Sequence, residues 1–439
     1  MNDKKNRKEK TQCRKRLLPA LILIIAVLFA AACGRGTDGT VPGRGTAAGK
    51  GAAAGQGNTA DRDNAAGKGD PSDIGAGSPA GAGMPREEET PPEIPGHAFL
   101  SAAETVYAEH FHVYCYEDGL RVISVNGEQR YLCVPRETGV PEDLPEDLKV
   151  IRTPARRVYM AASAVMSLYD AMGALDTVRL SGTEESGWYC EAAKEAMEDG
   201  RILYAGRYSA PDFELLKQEE CGLALESTMI YHTPKIAEMI EDLGIPVFVD
   251  GSSAESHPLG RTEWILVYGV LAGREKEAAR FFEEQRALLG TYGSFPDTGK
   301  TAAFFHVTSG GTAVVRTGND YISNMIRLAG GTYVFGDLSK ENSRSGSVNI
   351  TMEEFMNTAA DADYLIYDAA IAGGLSGLED IYAACPVLPS FRAAKEGHIY
   401  MTDRQLYQSA DITARMILDL HEMMTDGDTD KMMFIRKPE

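Results

Sequence analysis

The sequence predicts an α/β protein with two similar lobes, each with a parallel-type sheet, joined by one long α-helix with a ligand cleft between the lobes. Three observations predict this class. Strand-like and helix-like segments alternate from Arg156 onward, the second half repeats the order of the first, and a long mixed-charge helical stretch separates the halves. Strands that alternate with helices form parallel sheets that are covered on both faces. A small β-meander over residues 109–134 precedes the first lobe.

The net charge, hydrophobic content and cysteine count of the chain disfavour several classes of protein. The 439 residues carry a formal net charge of −20, from 44 Lys+Arg and 64 Asp+Glu. Such an acidic chain disfavours nucleic acid as a partner. The hydrophobic fraction of 44% is that of a globular protein, and seven cysteines are too few for a disulfide scaffold. We expect a monomer.

Residues 1–33 have the pattern of an export signal. Basic residues crowd the segment before Leu17, an apolar run covers 17–32, and small residues precede Cys33. The apolar run is shorter than the ~20 residues of a membrane-spanning helix. This order resembles a bacterial lipoprotein signal peptide, in which Cys33 receives lipid and anchors the chain to the cell membrane, outside the cytoplasm. Cleavage at that position without lipidation is one alternative, and a plain signal anchor in which Cys33 is incidental is another.

Residues 34–95 are mostly small or polar, so we predict a disordered Gly/Ala-rich tether. The meander follows. Within it, Asn126-Gly127 between two strand-like runs predicts a hairpin. Cys115 and Cys133 fall on strands that we expect to be neighbours, so a disulfide and two free buried thiols are both open.

The N-terminal lobe is predicted over 96–260, the linking helix over 261–289 and the C-terminal lobe over 290–439. Predicted strands of the first lobe are 157–161, 177–180, 201–204, 223–225 and 246–249. Predicted strands of the second lobe are 302–305, 333–335 and 364–367. In the linking helix, apolar residues recur at helical spacing and predict a buried stripe: Trp264, Val267, Tyr268 and Leu271.

Four stretches carry a resemblance to a known family: 206–227, 243–249, 257–271 and 348–367. Their order and spacing resemble the helical-backbone substrate-binding proteins of ABC importers, whose members bind iron–siderophore complexes, haem or cobalamin. The resemblance covers residues 156–424 and leaves the meander outside the common core. It implies a receptor that binds an iron complex, haem or corrinoid without a covalent bond. The partners that it implies are an ABC permease and its cytoplasmic ATPase.

The same resemblance assigns two docking residues. In this family one carboxylate at the tip of each lobe contacts arginines of the permease, and Glu214 and Glu353 match these positions in the repeated segment. Two separated acidic points define the orientation of a rigid body on a basic receptor. Both glutamates also fall in a first helical turn, where an acid stabilises the helix dipole.

Ligands of open α/β sheets bind at the loops that leave the carboxyl ends of the strands. Aromatic side chains there suit a large planar ligand, and arginine suits its carboxylates or chelated oxygens. Trp188 and Tyr189 are the strongest aromatic candidates, and Arg344 is the strongest basic one. The predicted ligand-binding residues are Trp188, Tyr189, Tyr208, Tyr231, His232, His257, Tyr321, Arg344 and Tyr407. The same loops also hold Arg261, His306, Arg316 and Arg404.

The sequence contains candidate residues for two other functions. A direct divalent-metal receptor would use His232, His257 and His306, but the sequence has no HExxH or CxxC signature. An exported hydrolase-like enzyme would use Cys190, Ser227 or Ser309 as nucleophile, yet GxSxG and phosphate-loop motifs are lacking in a strand–helix context. The sequence therefore predicts neither a metal site nor an enzyme.

Overall fold

The computed structural model describes residues 90–290, 293–338, 346–371, 375 and 377–439. The predicted signal peptide with Cys33 lies outside these residues, as does the predicted tether up to residue 89. The end of the tether is packed, because Ile94 is buried and the Tyr116 hydroxyl donates to the Pro92 carbonyl at 2.5 Å. The folded body therefore begins before residue 96. In the described part of the chain, no helix is long and apolar enough to cross a bilayer.

A five-stranded sheet opens the folded body. We call it the N-terminal sheet, and it is separate from the sheet of the N-terminal lobe. Its strands are β1 (Phe99–Ala102), β2 (Phe111–Tyr116), β3 (Arg121–Val125), β4 (Gln129–Pro135) and β5 (Leu148–Thr153). Successive pairs are antiparallel except β4 and β5, which are parallel. The predicted hairpin is present: Asn126 and Gly127 have φ of 54° and 66°, and the Glu128 N–H donates to the Val125 carbonyl at 3.1 Å. The meander is confirmed, and β1 and β5 extend it.

The two cysteines of this sheet are not neighbours. Cys115 on β2 and Cys133 on β4 both stand opposite Arg121 on β3, so β3 separates them. Strands two apart are ~10 Å distant, beyond the ~7 Å between Cα atoms that a disulfide can bridge. Both thiols are free, and the expected strand adjacency is wrong.

The N-terminal lobe has a wholly parallel sheet in the order β10-β9-β6-β7-β8. Its strands are β6 (Val158–Met160), β7 (Val178–Ser181), β8 (Leu203–Tyr204), β9 (Leu223–Ser227) and β10 (Val247–Asp250). Its helices are α1 (Ser163–Ala171), α2 (Glu191–Glu198), α3 (Phe213–Gln218) and α4 (Pro234–Asp242). Leu223 and Leu225 enter one apolar cluster and Ala224 enters another, so both faces of the sheet are covered.

The segment predicted as one linking helix is helical in three pieces. These are α5 (Pro258–Glu263), α6 (Ile265–Ala272) and α7 (Glu275–Leu288). Gly273 ends α6 in the left-handed region with φ of 66°, and the Arg274 N–H donates to the Gly269 carbonyl at 2.8 Å. At Gly269 a Cβ atom would lie 2.8 Å from the Ala278 Cβ, so glycine permits α7 to pack back onto α6. The single continuous helix is therefore wrong: α6 and the start of α7 belong to the core of the N-terminal lobe.

The C-terminal lobe has a mixed sheet in the order β14-β12-β11-β15-β16-β17, with β13 beside β11. Its strands are β11 (Lys300–Val307), β12 (Ala313–Arg316), β13 (Gly331–Tyr333), β14 (Ser347–Ile350), β15 (Tyr364–Tyr367), β16 (Ile399–Thr402) and β17 (Ile435–Arg436). Its helices are α8 (Tyr321–Leu328), α9 (Met352–Ala359), α10 (Leu378–Ala384), α11 (Arg392–Glu396) and α12 (Thr413–Met424). The central pairs β13/β11, β11/β15 and β15/β16 are parallel, and the other pairs are antiparallel.

Candidate functional site

The loops that leave the carboxyl ends of the two sheets meet at a first seam. Gln408, which follows β16, donates from Nε2 to the carbonyl oxygen of Gly187 at 2.7 Å. Its Oε1 accepts from the Tyr189 N–H at 3.0 Å, and both of these residues follow β7. The carboxyl ends of a parallel strand from each lobe are therefore brought together, which is the arrangement that binds ligands in α/β proteins.

A second seam joins the lobes near α5. On α8, the Asn324 amide donates to the Ser256 carbonyl at 2.7 Å. The Arg261 guanidinium carbon lies 3.9 Å from the centroid of the Tyr321 ring, a stacked cation–π contact. The Thr262 hydroxyl donates to the Ala410 carbonyl at 2.9 Å. Tyr321 is thus a lobe–lobe contact and is buried, rather than presented to a ligand.

A charged cluster lies at the carboxyl edge of the C-terminal sheet. Arg316 ends β12, Asp368 follows β15 and Tyr407 follows β16. The Arg316 Nη2 lies 3.5 Å from Asp368 Oδ2, and the Tyr407 hydroxyl accepts from Arg316 and donates to Asp368. Asp368 is 0% exposed, and its Oδ1 is buried with no partner in the described structure. The cluster joins β12, the end of β15 and the segment after β16, and it leaves Asp368 Oδ1 without a partner in the described structure.

Two more residues complete this cluster. His306 places Nδ1 3.9 Å from Asp368 Oδ2, and burial lowers its pKa although Asp368 opposes that effect. Asp320 caps α8 by accepting from the Ile322 N–H at 2.9 Å, and it lies 3.9 Å from Arg316 Nη1. Burial by itself lowers the pKa of Arg316, but Tyr407, Asp320 and Asp368 raise it above its ordinary value. Arg316 therefore stays charged and His306 stays neutral near pH 7.

The N-terminal lobe offers a different surface at its carboxyl edge. Large side chains there are exposed, namely Tyr189 at 41%, Tyr204 at 41%, Met229 at 46% and Tyr231 at 47%. Tyr204 ends β8, Tyr189 follows β7, and the other two follow β9. We call these four residues the aromatic wall. Each of these side chains, three tyrosines and one methionine, offers exposed apolar area, which is the usual lining of ligand sites.

A buried acid lies on β9, the strand that precedes Met229 and Tyr231. Glu226, near the carboxyl end of β9, is 0% exposed, and neither of its carboxylate oxygens has a partner in the described structure. It stands beside Val249 on β10, and it raises the pKa of Tyr159 on β6. Burial raises the pKa of Glu226 to about 8. The side chain is therefore a neutral carboxylic acid at pH 7.

Trp188 and His257 do not face the seam. Trp188 is 1% exposed, packs in the core of the N-terminal lobe, and donates from Nε1 to the Ser181 hydroxyl at 3.1 Å. His257 caps α5, because its Nδ1 accepts from the Leu259 N–H at 3.2 Å, and its ring stacks on Tyr107. Burial lowers the pKa of His257 to about 4. The prediction that these two residues bind ligand is corrected, since packing and capping occupy both.

The other predicted ligand-binding residues lie in several different places in the structure. Tyr189 lies at the first seam, and Tyr407 lies in the charged cluster. Tyr231 accepts a hydrogen bond from Gln129 of the N-terminal sheet, His232 is exposed, and Tyr208 is half-buried against the lobe core. Arg344 lies outside the described residues. Asp368 and Glu226 are not among the predicted residues, although each is a single acid at the end of an apolar strand.

The two predicted docking glutamates are exposed on short helices. Glu214 lies in the first turn of α3, which Asp212 caps by accepting from the Leu215 N–H at 3.0 Å. Glu353 lies in the first turn of α9, which Thr351 caps through the Glu354 N–H at 3.1 Å. Neither carboxylate forms an ion pair with any described residue. Both remain available to an external cation.

A metal site built from side chains is not visible in this region. Over the described ranges, no three His, Cys, Asp or Glu side chains converge as metal ligands do. His232 is exposed, His257 caps α5, and His306 lies beside Asp368. The three histidines that a direct divalent-metal receptor would use therefore do not converge on one site.

The fold has relatives among solved structures. No family model matches the chain. An uncharacterized lipoprotein of Methanocaldococcus jannaschii is 24% identical over 344 residues, which cover 72% of this chain and 80% of that protein. A periplasmic haem-binding protein of Pseudomonas aeruginosa superposes with a TM-score of 0.50 at 14% identity, over 65% of this chain and 98% of that one. A periplasmic catecholate-siderophore binding protein of Vibrio cholerae reaches 0.49 at 15% identity, over 72% and 99%.

The likeness to the haem-binding protein shows the class of fold. The chain has the two-lobe α/β fold of periplasmic binding proteins. The resemblance to the substrate-binding proteins of ABC importers is thereby confirmed at the level of the fold.

Proposed function

We propose that this chain is an extracytoplasmic substrate-binding lipoprotein of an ABC importer. It captures a metal chelate or a cofactor-sized ligand, such as an iron–siderophore complex, haem or a corrinoid, and delivers it to a permease. Cys33 carries the lipid anchor, and Glu214 and Glu353 dock on the permease. The ligand is held without a covalent bond, and the chain is not an enzyme.

One observation carries the proposal. The carboxyl-edge loops of both lobes meet at Gln408, with the aromatic wall on one lobe and the Arg316–Asp368–Tyr407 cluster on the other. A planar or amphipathic compound suits this edge, because the N-terminal lobe offers exposed aromatic area there. The periplasmic haem-binding protein of Pseudomonas aeruginosa, which has a similar fold, agrees with that ligand class.

The test is equilibrium binding by the purified chain that begins at Cys33. Haem, a ferric catecholate, a ferric hydroxamate and cobalamin are each titrated, with ligand absorbance and protein fluorescence as readouts. We expect one of these compounds to bind tightly and saturably. Tyr189→Ala should weaken that binding about tenfold, because a stacked aromatic contact contributes ~1 kcal/mol or more.

A matched control is Phe99→Ala. Phe99 is 46% exposed, close to the 41% of Tyr189, but it lies on β1 of the N-terminal sheet. Its removal should leave ligand affinity unchanged. Saturable binding of free divalent cations, with no binding of the four chelates, would instead favour the direct metal receptor. Turnover of a bound compound would favour an enzyme.

A further inference from the structure

The N-terminal sheet is tied to the region between the lobes by an unusual set of hydrogen bonds. Between β1 and β2, three consecutive backbone N–H groups donate to Glu263 on α5: Val106 at 2.6 Å, Tyr107 at 2.7 Å and Ala108 at 2.7 Å. The next two, Glu109 at 2.8 Å and His110 at 3.0 Å, donate to Glu255. We call residues 106–110, Glu255 and Glu263 the clasp.

The two acceptors are buried carboxylates. Glu255 and Glu263 are 2% and 0% exposed, and no described Lys, Arg or His forms an ion pair with either. Glu255 also accepts from the Trp264 indole N–H at 2.9 Å. Hydrogen bonds from backbone N–H groups to a carboxylate are roughly twice as strong as neutral ones. The chain therefore relies on residues 106–110 to satisfy the buried Glu263, and to satisfy Glu255 together with the Trp264 indole.

The clasp lies where the two lobes join. Glu255 precedes α5 and Glu263 ends it, and α5 carries the second seam through Thr262 and Arg261. Tyr107 stacks on His257 with ring centroids 4.2 Å apart, and it meets the edge of Phe282 on α7 at 6.3 Å. Tyr107 also packs against the apolar clusters of both lobes. One short segment thus touches α5, α7 and both cores.

We propose that the clasp is a brace by which the N-terminal sheet limits the separation of the two lobes. The inference rests on the proposed function in one respect, since lobe separation governs ligand release only in a receptor. Without the clasp, α5 loses the backbone donors that hold it, and the second seam is no longer supported from outside. The lobes then separate more often, and the first seam at Gln408 opens with them.

The test measures lobe opening without any ligand. In the full mature chain, the Tyr189 N–H is bonded to Gln408 across the first seam, so its hydrogen exchange reports lobe separation. Glu263→Gln replaces a carboxylate oxygen by an NH₂ group that faces backbone donors. We expect exchange at Tyr189 to become at least about tenfold faster, as well as at residues 106–110. The matched control is Glu277→Gln on the exposed face of α7, which should change neither.

A second variant keeps the test decisive if Glu263→Gln does not fold. Tyr107→Ala leaves both carboxylates paired and removes the ring that joins the lobes, so Tyr189 exchange should again rise. If residues 106–110 exchange faster while Tyr189 is unchanged, the clasp only attaches the sheet and the proposal is wrong. Failure to find a ligand would count against the proposed function but would leave this measurement intact.

Discussion

Gln408 of the C-terminal lobe and Gly187 of the N-terminal lobe are joined by a 2.7 Å hydrogen bond from Nε2 to the carbonyl oxygen. The same side chain accepts from the Tyr189 N–H at 3.0 Å. One glutamine therefore ties the carboxyl edges of two separate sheets.

Gln408→Ala should weaken the first seam. Two neutral hydrogen bonds contribute ~2 kcal/mol together, so we expect the Tyr189 amide to exchange more than about tenfold faster. Amide exchange followed by NMR or mass spectrometry measures this. Gln405→Ala is the control, because Gln405 lies in the same loop and its side chain accepts only from the Ser409 hydroxyl among the described contacts. Equal exchange in the two variants would mean that the seam does not depend on Gln408.

Glu226→Gln should stabilise the protein near neutral pH. The folded pKa of about 8 lies above the ordinary value of 4.5, so the stability linked to Glu226 is fully present below pH 4.5 and is lost as the pH rises through 8. Replacement by the neutral amide should add roughly 3 kcal/mol at pH 7 relative to pH 4, and the gain should grow up to about pH 8.

Urea denaturation of both proteins from pH 4 to pH 9 measures the effect of Glu226→Gln. The exposed Glu238→Gln on α4 is the control and should follow the wild type at every pH. If the unfolding midpoints of the Glu226 variant and the wild type change with pH in parallel, the acid is not neutral in the folded protein.

Asp368→Asn should destabilise the C-terminal lobe. Asp368 is buried against Arg316 and Tyr407, and its neutralisation leaves Asp320 as the one described acid that is paired with the guanidinium. Removal of one partner of a buried pair typically costs about 3 kcal/mol or more. Circular dichroism in urea should show this loss, whereas the exposed Asp337→Asn should unfold as the wild type does. A normal midpoint for the Asp368 variant would mean that Asp320 alone balances Arg316.

Glu214→Ala with Glu353→Ala should abolish ligand uptake and preserve ligand affinity. Both side chains are exposed and unpaired with described residues, so their removal should not disturb the fold. Uptake of labelled ligand by host cells, with binding by the purified variant, separates the two effects. The control pair is Glu198→Ala with Glu379→Ala, one exposed glutamate from each lobe. Normal uptake by the docking variant would contradict the assignment of these two residues.

Local pattern was sufficient to predict the parallel cores. The strand Tyr364–Tyr367 and the Asn126-Gly127 hairpin are where their sequences place them, because a short apolar run and a positive-φ turn are local properties. The short antiparallel strands Ala313–Arg316 and Ser347–Ile350 were not predicted, since they are stabilised by pairing with each other and, for the first of them, with β11.

Several errors have a tertiary cause. Trp188 is flanked by Gly187 in a loop, yet the lobe core covers it, and sequence carries no direct signal of that packing. Cys115 and Cys133 do lie on predicted strands, but they are not on adjacent ones. Their separation depends on the order of the strands in the sheet, which the local sequence does not determine. Gly273 is visible in the sequence, but its left-handed conformation follows from the return of α7 onto α6. Asp368 and Glu226 gain their unusual environments only when neighbouring strands bury them.

The parallel pairing of β4 with β5 has a mechanical consequence. A force applied at residue 90 acts first on β1. It is transmitted through the hydrogen bonds of the antiparallel pairs to β4, and then through the parallel pair to β5, which precedes the N-terminal lobe. Before β2 it also meets the carboxylates of Glu255 and Glu263. Any load applied at the amino terminus is thus divided between the sheet and the junction of the lobes.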